Sequence, residues 1–540
     1  MDRLREAFAA QLPAYLQRQR WFGGKARQIL AVSLADCVAI RMASSTALLT
    51  LASVVYSENK GETYFLPLLM NPNVSGAENS LSSVIRIPNP NASTEILLFD
   101  ALGNKEFLAL LLDSARSNVS YLGGTGEFEA KASPALREQY PSSAVAPQTR
   151  VIKAEQSNTS IVYGERLILK LFRRVAEGTN PDLEIGRFLT QVAHFPYTPP
   201  FCGSLEYRTR DGKCFSLGIL QGFVSNRGDA WSSTTQFLTE LLVRSASSKR
   251  EDIGRSENQS RANTKNSSSK ALGGELLEQV ELMGLLGKRT AELHLALASS
   301  RSDQAFNPEP FTAEFRHKLE AALHDMTVGN FDLLRSKSGE LLESLRDSIA
   351  RTLLLEDDVL LAFHSDLEKD ISALRIRIHG DYHLGQVLFT GSDFLIIDFE
   401  GEPAKSISER RMKRSPLQDV AGMLRSFQYA AHLALMAAQD KLGTLETAGP
   451  ELLRLAKQWQ LLAASRFLES YKNTASGASF IPRDASEFDR LLRLHLLEKA
   501  IYELGYELNN RPAWLAIPLE GIEELLNKGG PGFDPKRAGN

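Results

Sequence analysis

Two short apolar runs that enclose a polar loop constrain this chain more than any other feature. They lie in RIRIHGDYHLGQVLFTGSDFLIIDFEGEP, which ends at Pro403. Runs rich in Val, Ile, Leu and Phe and bounded by Gly and Asp predict short strands. The first run delivers His379-Gly380-Asp381 onto a loop, Gln386 follows five residues after Asp381, and the second run ends in Asp398. This order suits a magnesium-dependent phosphoryl-transfer site. Asp381 is placed to orient a hydroxyl or accept its proton, while Gln386 and Asp398 offer magnesium the hard oxygen ligands it prefers. Each letter alone has an ordinary structural explanation: a capping carboxylate, an exposed amide, a strand end. The order of all of them carries the reading.

Upstream, Lys170 interrupts the apolar run RLILKLF, and strand alternation puts it on the face opposite Leu169 and Leu171. Glu184, in the predicted helix DLEIGRFL, is its expected partner, the pair gripping nucleotide phosphates. No glycine-rich phosphate loop stands between the first two strands of this region. Small polar side chains do, and Ser157, Asn158, Thr159 and Ser160 are candidates to line a phosphate turn. Asp419 opens DVAGMLRSF, where it can cap the helix N-terminus or brace the backbone of the catalytic loop, a structural role in either case. His379 reads as a structural histidine, and His383 as either a substrate contact or a packing group.

A sugar site is expected near Asp381. In EKAIYELGYELNNRPAW, Glu498, Tyr502 and Tyr506 recur every four residues and share a helix face, with Lys499 and Arg511 as possible donors. Glu400 and Glu402 are further candidates for sugar or metal, and Arg411 and Lys413 for phosphates. A helix that packs its tyrosines on a core fits the same pattern equally well. Trp21 reads as a packing anchor.

Composition narrows the partners. Lys plus Arg at 62 against Asp plus Glu at 65 leaves a net charge of -3, with no global attraction to nucleic acid or an anionic membrane. A small polar substrate is the better expectation. Three scattered cysteines with no CxxC pair suggest neither a zinc site nor a disulfide framework, and the absence of a signal-like or membrane-spanning run predicts a cytoplasmic protein.

At 540 residues more than one domain is expected. The pattern predicts an α+β chain. Residues 1–130 read as a mostly β unit behind an amphipathic helix, and a Gly-, Ser- and Pro-rich linker runs from Gly123 to Pro147. Residues 131–225 read as a small sheet with one helix, and 226–540 as a helical lobe carrying the catalytic stretch. Residues 244–270, in which Ile253 is the only large apolar side chain, read as a disordered insertion.

RQRWFGGKAR, SNTSIVYG, LILKLFRR, HGDYHLGQVL, IIDFEGEP and RSPLQDVAGMLRSF together resemble motifs of the bacterial maltokinases. The similarity runs from residue 18 almost to the end. It implies a bilobal protein kinase-like fold of the aminoglycoside phosphotransferase-like branch, with residues 1–130 as an N-terminal cap domain. It also implies transfer from ATP to maltose with Mg2+, giving maltose 1-phosphate for α-glucan synthesis. Asp381 would be the base, Gln386 and Asp398 the magnesium ligands, and Lys170 with Glu184 the phosphate clamp. The family is linked to trehalose synthase, sometimes by fusion. No such domain precedes the cap here, so a free-standing kinase is expected.

Three rivals stand beside this reading: a kinase for glucosamine or another small sugar, a metal-dependent hydrolase using the His379, Asp381, His383 alternation, and a nucleotide-binding scaffold without catalysis. Zinc hydrolysis usually recruits more histidine or cysteine than this region holds.

Overall fold

The structure is a computed structural model and describes residues 2–57, 61–71, 83–88, 95–141, 147–152, 157–253, 262–443 and 449–527, with backbone alone for 2, 71, 248–253, 262–272 and 527. The chain forms two compact units: Met1–Val192, Thr198–Ser225 and Ala404–Arg410 make the first, and Ala193–Tyr197, Asn226–Pro403 and Arg411–Asn540 the second.

The first unit is built on two antiparallel sheets. In one, β1 (Ile29–Arg41), β2 (Thr46–Tyr56), β3 (Gly61–Asn71), β4 (Ile85–Pro88) and β5 (Glu95–Asp100) lie in the order β1-β2-β3-β5-β4. The helix Asp2–Arg18 buries Phe8, Leu12 and Leu16 in the cluster that holds Val32, Leu48, Tyr64 and Ile85 from these strands, as its apolar face predicts. Trp21 is buried there under the Arg173 guanidinium, 4.8 Å from the ring, which bears out its reading as an anchor.

The other sheet contains β6 (Ser120–Leu122), β7 (Gly126–Ala132), β8 (Thr149–Ile152), β9 (Asn158–Tyr163), β10 (Leu167–Phe172), β12 (Phe201–Thr209) and β13 (Cys214–Gly222) in the order β6-β7-β12-β13-β10-β9-β8, and the short β11 (Arg174–Val175) pairs with β3. One apolar cluster joins the two sheets. Val38, Leu49 and Phe65 share it with Phe107 and Leu111 of the helix Lys105–Ser117 and with Phe128, Leu169 and Leu205. The expected boundary at residue 130 therefore falls inside β7, where Ala130 pairs with Leu205. The expected linker 123–147 likewise holds β7 and the helix Pro134–Gln139. Its Gly123-Gly124 turn is a hairpin end held by Asp36, which accepts from the Gly124 and Thr125 N–H groups at 2.9 and 3.1 Å. Turn residues marked the ends, and the buried alternation of Phe128 and Ala130 between them was the strand signal.

The second unit is mainly helical. Its central helix, Leu417–Leu442, is buried on nearly every face, as its run of Ala, Leu, Val, Met and Phe requires. Asp419, Arg425, Ser426 and Gln428 are buried within it, and buried polar groups need partners. A two-residue pair joins β14 (Glu309–Pro310) to β15 (Leu374–Arg375), and the hairpin of β16 (Val387–Phe389) and β17 (Phe394–Ile396) carries the polar loop. Residues 244–253 and 262–270, expected to be disordered, belong to the helices Ala230–Ile253 and Ala262–Leu297. That stretch holds no Pro and one Gly, so helices can run outward from their packed ends at only a few tenths of a kcal/mol per residue. Residues 254–261 of the expected insertion lie outside the described residues. Among the described residues no helix is long and apolar enough to cross a membrane.

Candidate active site

The hairpin register places two of the expected metal ligands at one end. Val387 pairs with Ile396, and the Ile397 N–H donates to the Gln386 carbonyl at 3.0 Å, so Gln386 and Asp398 both emerge at the open end. The turn at the other end is pinned by Arg289, which donates to both Asp393 oxygens at 2.9 and 2.7 Å while lying 3.5 Å over the Tyr197 ring. Asp398 has φ 67, in the left-handed region. A side chain held there costs about 1–3 kcal/mol and persists only where its surroundings dictate it, commonly at functional sites. An amide oxygen and a carboxylate at one hairpin end are the hard donor set magnesium takes.

The loop before Asp381 is clamped by one face of the central helix. Asp419 accepts the His379 N–H at 2.7 Å, the Gly380 N–H at 2.9 Å and His294 Nε2 at 3.1 Å, while Nδ1 of His294 meets the Tyr471 hydroxyl at 2.9 Å. Burial pushes the Asp419 carboxyl up, but the His294 contact and the backbone donors outweigh it and hold the group below the usual carboxylate range. Of the two structural roles expected, capping and bracing, the side chain performs the bracing, and Pro416 holds the cap position of the helix. Three residues on, a Cβ added to Gly422 would stand 2.6 Å from the Tyr382 carbonyl oxygen, and a further turn along, Ser426 accepts the Leu384 N–H at 3.1 Å. Because that Gly422 contact is backbone to backbone, Gly422→Ala is expected to cost about 1–3 kcal/mol. Urea unfolding of both proteins checks this, with activity falling alongside as the loop is displaced.

Both histidines of the motif serve this loop. His379 is buried, donates from Nε2 to the Ile397 carbonyl at 2.9 Å and faces the Asp381 N–H from Nδ1 at 3.4 Å. His383 Nδ1 accepts the Gly385 N–H at 3.0 Å, and burial lowers its pKa. These commitments favour structural roles over zinc ligation.

Asp381 keeps a quarter of its side chain exposed (26%), and its nearest cation is Lys499, 3.9 Å away. Burial alone would lower the Lys499 pKa, but Asp381, Glu503 and Glu402 outweigh it and keep the ammonium charged. The ammonium also lies 4.8 Å over the Tyr502 ring. Burial, then the Glu402 charge, pushes the Tyr502 hydroxyl up to about 12. Tyr502 and Tyr506 stack at 6.3 Å with planes 20° apart, and Tyr506 is exposed at the outer end. Glu402 is buried and Glu400 half-buried.

Other expected sugar contacts are engaged elsewhere. Arg511 donates to both oxygens of buried Glu507 at 2.9 and 2.7 Å and lies against Trp514, and Glu498 meets His495 at 2.7 Å. Each meets a partner about one turn away, Arg511 at the C-terminal end of the helix Ala485–Asn510 and Glu498 in its middle. Lys413, expected on phosphates, is buried and donates to Glu309 at 2.6 Å.

In the first unit, Lys170 stands where alternation put it, paired across the strands with Ser160 and Ile219. Asp182, two residues before Glu184, accepts from its ammonium at 3.0 Å. Asn180 caps this helix through the Asp182 N–H at 2.9 Å, and Asp182 and Glu184 both lie in its first turn. Of the small polar residues, Ser157 is exposed and Asn158 half-buried, whereas Ser160 is buried and the Thr159 hydroxyl is taken by Arg173 Nε at 2.9 Å. Thr159 therefore leaves the phosphate-lining set. A β-branched residue facing inward on a strand was the signal.

Residues 15–104 match the family model described as the Maltokinase N-terminal cap domain. Curated relatives include the glucosamine kinase of Mycolicibacterium smegmatis, 24% identical over 70% of this chain and 80% of that protein. The glucosamine kinase of Streptacidiphilus jiangxiensis is also 24% identical, over 45% of this chain and 48% of its own length. Among solved structures, a glucosamine kinase in complex with glucosamine, ADP and inorganic phosphate superposes with a TM-score of 0.59 at 17% identity, covering 97% of this chain and 99% of that one. A second crystal form of glucosamine kinase gives 0.61 at 18% identity, with the same coverage. The α+β kinase-like architecture expected from the motifs is thus the one the chain adopts. It is a maltokinase-like protein of the kinase fold, its strand-rich N-terminal portion matching the maltokinase cap.

Proposed function

We propose that the protein transfers the γ-phosphoryl group of ATP to the anomeric hydroxyl of maltose, giving maltose 1-phosphate and ADP for α-glucan synthesis, downstream of a trehalose synthase. Asp381 accepts the proton of the anomeric hydroxyl as that oxygen bonds to phosphorus and ADP leaves. Asp419, through the His379 and Gly380 amides, keeps that carboxylate in place. Gln386 and Asp398 hold the magnesium, which when bound neutralises charge on the nucleotide phosphates. Lys170, steadied by Asp182, grips those phosphates, with Glu184, Ser157, Asn158 and Ser160 near its strand and helix. His383, Glu400 and Glu402 border the sugar.

The observation that favours maltose is the aromatic strip of Tyr502 and Tyr506, with Lys499 at its inner end beside Asp381. Two stacked rings offer an apolar face long enough for two sugar rings. The Lys499 ammonium contributes a repulsion of about 3 kcal/mol toward a protonated amino sugar at about 5 Å for an effective dielectric of about 20, which the neighbouring Asp381, Glu402 and Glu503 carboxylates offset in part. The glucosamine kinase names of the relatives make that amine the competing substrate.

The test is ATP turnover on maltose, glucose and glucosamine, with the product's phosphate position read by NMR. A higher kcat/KM for maltose supports the reading; a preference for glucosamine overturns the substrate and leaves the kinase standing. Lys499→Met is expected to shift the kcat/KM ratio toward glucosamine by at least about tenfold, given the size of that repulsion.

A further inference from the structure

We propose that the helical unit holds a binding site for a zinc-class divalent ion, formed by His317 and Glu320 of the helix Ala313–Lys337 and His364 of the helix Glu356–Glu368. The two helices flank a groove of about 520 Å³, which these three side chains line together with His324 and Leu361, among others. Neither Asp381, Gln386, Asp398 nor Lys499 borders it. The chain has nine histidines, and three of them line this one groove. By contrast His294, His379, His383 and His495 are committed to hydrogen bonds inside the fold.

His317, Glu320 and His324 follow one another at steps of three and four residues, so they share one face of their helix. Glu320 is the pivot of the site. One of its oxygens lies 2.7 Å from His364 Nδ1 and the other 4.0 Å from His317 Nδ1, so a single carboxylate faces imidazoles from both helices. Donors around a four-coordinate zinc, with bonds of about 2.0–2.1 Å, stand roughly 3.3 Å apart, and the two separations bracket that value. The His317 and His364 side chains are 81% and 59% exposed, so their rings turn into place without displacing packed neighbours.

Two imidazole nitrogens and a carboxylate oxygen are a donor set that zinc takes, with the fourth position left to water, whereas magnesium prefers oxygen ligands and does not compete. Zinc displaces the proton between His364 Nδ1 and Glu320, because a metal-bound imidazole nitrogen must be bare. The ion then staples two helices that support a third. Asn330 of the first donates to the Ile501 carbonyl at 2.8 Å, and Asp366 of the second accepts from Arg493 at 2.9 and 3.0 Å. Both therefore rest on the helix Ala485–Asn510, which carries Lys499 and Tyr502. An ion that binds the folded chain alone adds stability by mass action, so the site serves the standing of that helix and takes no part in transfer.

The experiment uses the full chain with saturating ADP and magnesium, so that the nucleotide site is covered, and titrates Zn2+ by calorimetry, with the visible spectrum of added Co2+ as a second probe of imidazole ligation. Wild type is expected to bind Zn2+, and His317→Gln and His364→Gln each to weaken binding by at least about tenfold, since removing even a group that only orients a metal ligand typically costs about 10–100-fold. His324→Gln should bind like wild type. Zn2+ should also raise the urea midpoint of wild type and leave that of His364→Gln unchanged, a readout that separates a site on the folded chain from loose surface binding. No Zn2+ binding to wild type, equal binding to wild type, His317→Gln and His364→Gln, or a larger loss in His324→Gln than in His317→Gln overturns the site. No sugar is present and no residue of the transfer site is altered, so failure here leaves the maltose reading untouched.

Discussion

Replacing Asp381 by Asn is expected to lower turnover by about two to four decades, the usual loss when a positioned base is removed. Folding should be nearly unaffected. The side chain is partly exposed, its nearest cation stands at 3.9 Å, and the loop's shape is held by Asp419 acting on the backbone of residues 379 and 380. The amide keeps the size of the carboxylate and loses its basicity, so the affinities for ATP and maltose, measured by separate titrations, should change far less than kcat. Full transfer activity in Asp381→Asn, with the same product, would show that this carboxylate is not the base.

Asp419→Ala should have the largest effect on stability, about 3–5 kcal/mol, because it strands buried donors that the carboxylate now satisfies: His294 and the amides of 379 and 380. Against a typical total of about 5–15 kcal/mol, that is enough to unfold the helical unit at moderate urea. The same group makes stability depend on pH. Its carboxyl is held below the ordinary range in the folded chain, so its contribution is complete above the unfolded-state pKa of about 4 and is lost as pH falls through the folded value. Urea midpoints measured downward from neutral pH should stay level and then drop, and Asp419→Asn should flatten that drop while lowering the plateau. A midpoint for Asp419→Ala equal to wild type at neutral pH would mean the loop is supported some other way.

The strands of the first unit were legible for two reasons: β1 and most of β10 alternate in burial, whereas β2, β3 and β9 are apolar runs buried on both faces. Together they make up the mostly β unit and the small sheet expected there, and Lys170 stands on the face that alternation assigns. The catalytic stretch was legible for a related reason: two apolar runs a short turn apart pair as a hairpin, and pairing brings Gln386 and Asp398 to one end. The cap boundary was not. A shared core between the two sheets leaves no mark at residue 130, since side chains that pack together need not be near in sequence. Arg511 and Glu498 misled because a helix face shows which residues share a side and not which of them meet each other first.

What the residues alone determined is chemistry of short range: strand alternation, the hairpin, the helix face shared by Glu498, Tyr502 and Tyr506, and candidates for a base and two oxygen ligands within eighteen residues of one another. Tertiary packing decided the partners: Asp182 for Lys170, the Asp419, Gly422 and Ser426 face for the loop, Lys499 for Asp381, and Glu309 for Arg375 and Lys413. Backbone propensities act over a few residues, whereas charges and buried donors find partners wherever folding leaves them close, and that distance is a property of the packed chain.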